Sequence, residues 1–391
     1  MRRTLWVLAF GQYSFVTSVF IVIGILPRMA EFFHISIATV ATAVGLFSIV
    51  YAISGPVLSA AAGTLNRRNL LIGSLLIFSA TNAIAAMTSD FTLLLAMRLI
   101  SAACDGFYAA TATAMASALA APQRRGRALS VVNSGITIAF VAGIPLGSFI
   151  GARLGWQATF WFLCILGLLT ALGLAMVLPR DVRLAKVTSV GERLRALAQP
   201  AVLLLVLVTI FSYAGVFSIY TFIAPSLRTL TGVDGAAISA FLLAFGLSTI
   251  VGNVVGGLLT DFWSPSRTML VGFVLLAVLL FAFPLLMRSP LGAGFLIVVM
   301  GFIHYTALTP LQHRFTLVNP QQADVVIGLC FAAFYVGISL ASYSGGFLLT
   351  HFGAQSLGFG AGFWKLAAGA ALVASLVTHR VPERPAAPVT V

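Results

Sequence analysis

Twelve apolar stretches, most of them twenty or more residues long, follow one another along this chain with short polar breaks between them. Their approximate limits are 5–27, 37–62, 70–88, 91–119, 128–151, 158–178, 201–224, 236–260, 268–287, 291–312, 324–350 and 358–378. An apolar run of about 20 residues spans the hydrocarbon core of a bilayer as an α-helix. In lipid each such segment must satisfy its own backbone hydrogen bonds, so the helix is the form available to it. The pattern predicts an all-α membrane protein with twelve transmembrane helices. Composition agrees. Of 391 residues 60% are hydrophobic and only 8% are charged, far below the roughly 25% of a soluble domain.

Charge placement gives the orientation. With the N-terminus assigned to the cytoplasm, sixteen Lys and Arg fall in cytoplasmic segments and four (Arg28, Arg153, Arg228 and Arg288) on the opposite side. This bias predicts a multi-pass protein of the inner (plasma) membrane with both termini cytoplasmic. It also accounts for the formal charge of +13 without nucleic acid as a partner, because the basic residues sit in short patches beside apolar runs. The longest connection, 179–200, divides a six-span bundle at 1–178 from a second at 201–378, followed by a cytoplasmic tail at 379–391.

The two halves repeat. Gly135-Ile-Thr-Ile-Ala-Phe-Val-Ala-Gly143 in span five matches Gly337-Ile-Ser-Leu-Ala-Ser-Tyr-Ser-Gly345 in span eleven, 202 residues later. A weaker echo joins the loop from Gly63 to Arg68 with the stretch from Gly257 to Asp261. Two six-span repeats are an architecture of secondary transporters. Small residues also recur every four positions, at Gly135, Ala139, Gly143, Gly147, Gly151 and Gly155, and at Ala240, Ala244, Ser248, Gly252 and Gly256. Each row forms a smooth face for close helix packing, and Pro145 removes a backbone donor within span five.

The stretches Gly24-Ile-Leu-Pro27, Gly63 to Asn69, Gly143-Ile-Pro-Leu-Gly147, Gly155-Trp156 and Thr309-Pro-Leu-Gln312, together with Arg98, are similar to motifs of the major facilitator superfamily. The chain resembles its twelve-span drug:proton antiporter branch, near the arabinose- and nucleoside-efflux-like permeases. The resemblance implies two pseudo-symmetric six-helix bundles, a usually monomeric state and alternating access. It implies gating roles for Gly143, Pro145 and Gly147, and for Asn66, Arg67, Arg68 and Asp261 at the cytoplasmic ends. It also implies a Glu in span one, where this chain reads Thr17-Ser18-Val19-Phe20.

That absence draws attention to Asp105, near the middle of span four. An ionised Asp at the bilayer centre costs about 2.5–3.5 kcal/mol on insertion scales, so such a residue faces a cavity or a partner. Burial favours the protonated form of a carboxyl, which suits proton exchange. Arg98, seven residues earlier, lies two turns away on nearly the same face, a rise of ~10 Å. Asp105 and Arg98 are therefore the expected proton-coupling pair. Polar and aromatic residues within spans are candidates for substrate contact: Gln12, Tyr13, Tyr108, Asn133, Tyr213, Tyr220, Asn253, His304, Tyr305, Gln312 and Tyr335. His304 adds a group that titrates near neutrality. Lys365, about seven residues into span twelve, is expected to snorkel to the interface. Trp6, Trp156, Trp161, Trp263 and Trp364 are expected as interfacial anchors.

There is no P-loop and no soluble domain to house one, so no nucleotide cofactor is expected. The three Cys and five His form no metal-binding spacing, so neither metal nor disulfide is expected. These features predict a transporter, not an enzyme: efflux of a small organic compound in exchange for protons. Inward proton symport and facilitated diffusion fit the same sequence, and a receptor or intramembrane enzyme fits it less well.

Overall fold

The computed structural model describes residues 2–62, 65–121, 124–179 and 190–378, almost all of them helical. In the first half, α1 (Arg2–Phe33), α2 (Ile37–Ala61), α3 (Arg67–Met87) and α4 (Phe91–Leu119) are single long helices. The fifth span is composite: α5 (Arg125–Ile138), a π-helical turn (Ala139–Gly143) and α6 (Ile144–Leu154). It is followed by α7 (Trp156–Val177). The second half comprises α8 (Val190–Leu197), α9 (Pro200–Tyr220), α10 (Ile223–Thr231), α11 (Ala236–Phe262), α12 (Pro265–Phe281), α13 (Phe283–Leu286), α14 (Pro290–Thr306), α15 (Leu308–Val318), α16 (Ala323–Phe352) and α17 (Leu357–Thr378).

Among the described residues eleven helices are long and apolar enough to cross a membrane. The remaining predicted span, 268–287, falls on the shorter α12 and on α13 beyond a break at Ala282. Pro284 explains the break, since it offers no N–H to the carbonyl of Leu280. Pro145 acts similarly in span five. It cannot donate to Val141, and the helix widens ahead of it, with the Ile144 N–H bonding the Ala139 carbonyl five residues back. Such π-bulges are a recognised cause of helix bending. Several helices outrun their apolar windows. Span one, predicted to end at Pro27, continues to Phe33.

The chain divides into two compact units, Met1–Val190 with Gly235–Leu243, and Gly191–Asp234 with Ala244–Val391. Within the first, α1 packs on α5, α6 and α7, α2 on α4, and α3 on α4 and α7. Within the second, α9 packs on α16 and α17, and α12 on α14 and α17. Val208, Phe273, Phe315, Val326 and Leu372 are among the residues of its apolar core.

Glycines of both rows pack against helices of their own compact unit. A Cβ at Gly135 would strike the Ala9 carbonyl and Gln12, one at Gly143 Thr17, one at Gly147 Ile21 and one at Gly151 Ile25, all on α1. On α11, Gly252 and Gly256 lie against the backbone carbonyls of Phe302 and Thr306 on α14. The repeat extends to these contacts. Gly337 lies against the Ile210 carbonyl and Tyr213, and Gly345 against the Ser218 carbonyl and Phe222. The glycines are displaced by 202 residues (337−135 and 345−143). Their partners are displaced by 201 (210−9 and 213−12). Spans one and five thus meet in the same register as spans seven and eleven.

Two anchoring expectations are overturned. Trp156 is only 3% exposed. It is enclosed by Phe32, Phe33 and Phe160, with ring centroids 5.2–5.7 Å away. The turn at Gly155 folds the start of α7 onto the end of α1, so the indole packs instead of anchoring. Lys365 does not reach an interface. It is fully buried, because polar partners from α9 and α14 take its ammonium group inside the bundle.

Candidate functional site

In the first bundle the chemistry gathers where α4 crosses α1 and α2. Gly106 lets α4 approach α2 closely, its missing side chain leaving room for Ser54 and the Tyr51 carbonyl. This places Asp105 deep in the bundle at 0% exposure. Neither of its carboxyl oxygens has a hydrogen-bond partner among the described residues. Arg98 is also buried, but is well partnered. Its Nη1 donates to the Ser18 carbonyl at 2.9 Å and the Ser18 hydroxyl at 2.8 Å, and its Nη2 to the Val19 carbonyl at 3.5 Å. Its guanidinium stands 4.3 Å over the Phe47 ring, a cation–π contact.

The planar fork of Arg98 is therefore committed to α1, and no ion pair joins it to Asp105 among the described residues. Val19, where the resemblance implied an acid, lies at this guanidinium. Tyr108, one turn beyond Asp105, donates to the Leu8 carbonyl at 3.2 Å and fits against Gly11. Gln12 Oε1, Thr17 Oγ1 and Thr111 Oγ1 are further buried oxygens on these two helices without a partner among the described residues. Buried polar groups are ordinarily paired, so this concentration makes the crossing the candidate site of the first bundle.

The second bundle holds a different cluster. Lys365 Nζ donates to Ser212 Oγ at 2.7 Å and lies 3.1 Å from His304 Nδ1. The Phe273 ring sits 5.1 Å below it. His304 packs edge-on to Tyr213 at 4.6 Å and to Tyr305 at 5.3 Å. Its Nε2, like the Tyr220 hydroxyl, has no partner among the described residues.

The other sequence candidates are dispersed. Tyr13 stacks on Phe10 and lines an apolar groove of about 240 Å³ with Trp6, Ile138 and Leu166. Asn133 and Gln312 are half-buried on α5 and α15. Asn253 is exposed and accepts from Thr309 at 2.9 Å. Tyr335 is buried against Phe334. Among the gating candidates, Asn66 caps α3 by accepting from the Arg68 and Asn69 amides. Arg67 is buried, and Arg68 donates to the Ala175 carbonyl at 2.7 Å. The Asp261 side chain lies outside the described residues.

A family model for the Major Facilitator Superfamily matches residues 8–321. The chain belongs to the major facilitator superfamily. Similar relatives in this superfamily include the uncharacterized MFS-type transporter YtbD of Bacillus subtilis, 29% identical over 88% of each chain. They also include a chloramphenicol resistance protein of Streptomyces lividans, 33% identical over 78% of each, and the inner membrane transport protein YdhP of Escherichia coli K12, 26% identical over 88% of each. Among solved structures, the inward-facing, unoccupied form of a bacterial homolog of the human lysosomal transporter Spinster has the same fold. Its TM-score is 0.70 at 18% identity, over 96% of this chain and 94% of that one. The chain is thus a multi-pass membrane transporter of a superfamily whose members are not enzymes.

Sequence reasoning missed Lys365 as a polar centre. Read on one helix, a lysine seven residues into a span reaches water easily. The repeat held the missing signal. Shifting Ser14 by 201 gives Gly215, and a side chain at Gly215 would crowd the Lys365 stem. In the first bundle Ser14 instead meets the Thr170 hydroxyl at 3.2 Å. Glycine in the second copy makes the room that lysine fills.

Proposed function

We propose that the protein exports a small, weakly charged organic compound across the inner membrane in exchange for protons, by alternating access of its two bundles. Asp105 is the carrying observation. A fully buried carboxyl without a hydrogen-bond donor among the described residues costs too much to be kept for packing. The same helix face carries Arg98, which grips the span-one backbone at Val19, where an acid was expected. In this reading Asp105 takes the acid's part and binds proton and cargo in turn. Arg98 ties α4 to α1, so that a change of charge at Asp105 is felt by the π-bulged fifth span packed on α1. Gly143, Pro145 and Gly147 lie at that contact and act as its hinge. Asn66, Arg67, Arg68 and Asp261 hold the cytoplasmic ends, and both termini face the cytoplasm.

Gln12 and Tyr108 are the cargo contacts best supported in the first bundle, and Tyr213 and Tyr220 in the second. Few charges line either set, which favours uncharged or weakly ionic cargo. The chloramphenicol resistance relative makes that drug a first compound to try. The test is uptake of labelled chloramphenicol, sugars and nucleosides by inside-out vesicles whose lumen is acid, so that protons leaving the lumen drive cargo in. Accumulation of a cargo that an uncoupler abolishes is the expected result. Uptake that the uncoupler leaves unchanged would point to a facilitator.

A further inference from the structure

We propose that Lys365 and His304 form a second proton-binding site, in the C-terminal bundle and separate from Asp105. Two nitrogen bases stand 3.1 Å apart, both 3% exposed or less. Among the described residues no ion pair reaches either. Fixed positive charges on both would repel at this distance without compensation, so the pair holds a single extra proton. With that proton on Lys365, Nζ donates to a bare Nδ1, and the ring hydrogen resides on Nε2, which is unpartnered among the described residues. Transfer along the same hydrogen bond places the charge on the imidazole.

Among the described residues the surroundings supply no fixed counter-ion. Ser212 on α9 takes one Nζ hydrogen, and α12 turns the Phe273 face to the cation. Among the described residues the ionisable groups packed on His304 are Tyr213 on α9 and Tyr305 on α14, with Cys330 on α16 beside Tyr213, all ordinarily uncharged at neutral pH. Among the described residues no other cationic group is recorded in contact with the pair. An interior ionisable group in a membrane protein is by default a functional candidate. Tyr213, edge-on to His304, links the proton to the face proposed to meet cargo.

The direct test needs no cargo. Wild-type protein carrying 15N-histidine in lipid nanodiscs, with the His304 signal assigned by its loss in His304→Gln, is titrated between about pH 5 and pH 8. A change in the His304 ring-nitrogen shifts that disappears in Lys365→Met is expected. Ring shifts that do not move, or that move identically in Lys365→Met, would overturn the site. Flux separates this site from Asp105. For each proton exchanged, a one-unit pH gradient holds an uncharged cargo at a ratio of about ten. The cargo ratio at which net flux stops is expected to drop about tenfold in His304→Gln. A drop there with none in Asp105→Asn would remove the Asp105 reading and leave this one standing; the reverse would remove the pair.

Discussion

Arg98 shows how one side chain ties two helices. Its three bonds to Ser18 and Val19 use the fixed geometry of a guanidinium, and a lysine would offer one point of charge in its place. Arg98→Lys is therefore expected to lower the thermal midpoint in detergent and to slow transport, while Arg98→Ala strands the buried carbonyl and hydroxyl of Ser18 and costs more, about 3 kcal/mol. An equal, small effect of both changes would show that the fork is not used. Gly215 presents the opposite problem. A serine there would strike the Lys365 stem and the Ala361 carbonyl, a cost of about 1–3 kcal/mol. Adding Lys365→Thr removes the stem that a serine at 215 would crowd, and the double variant should recover stability lost by Gly215→Ser. Thermal unfolding of the two single variants and the double measures that coupling.

At the level of helices, the glycine rows separate into those that face backbone and those that face side chains. Gly252 and Gly256 abut carbonyl groups of α14, which cannot move aside. Gly147 abuts the end of the Ile21 side chain, which can change rotamer. Gly256→Ala is accordingly expected to destabilise by about 2 kcal/mol and Gly147→Ala by less than half of that. The reverse order in thermal unfolding would contradict the packing described. Pro145→Ala restores a backbone donor to Val141. It should shorten the π-turn into regular helix and raise stability by about 1 kcal/mol. If the bulge serves as a hinge, flux falls while stability rises, a pairing that simple repair of a defect would not give.

Taken whole, the molecule was most legible where one helix carries its own signal. Spans follow from hydropathy, and the duplication follows from the spacing of glycines, because close approach tolerates few residues. Asp105 stood out as an acid in a span. What the sequence could not display is the company each residue keeps. Lys365 meets Ser212 and His304, 153 and 61 residues away, and its environment is set by three other helices. Trp156 reads as an anchor until the turn at Gly155 folds it onto α1. Arg314 counts as a topological charge in the sequence, yet it is buried and donates to Ser266 at 3.1 Å. In each case a side chain that reads as interfacial on its own helix is captured by neighbours.

The central claim, that the solitary buried acid of span four exchanges its proton for cargo, is tested most directly by Asp105→Asn in proteoliposomes. The amide keeps the size and hydrogen-bonding capacity of the carboxyl and cannot release a proton. Cargo exchange at equal pH should persist, while its acceleration by a pH gradient should vanish. A variant whose gradient-driven flux and proton movement match the wild type would contradict the account.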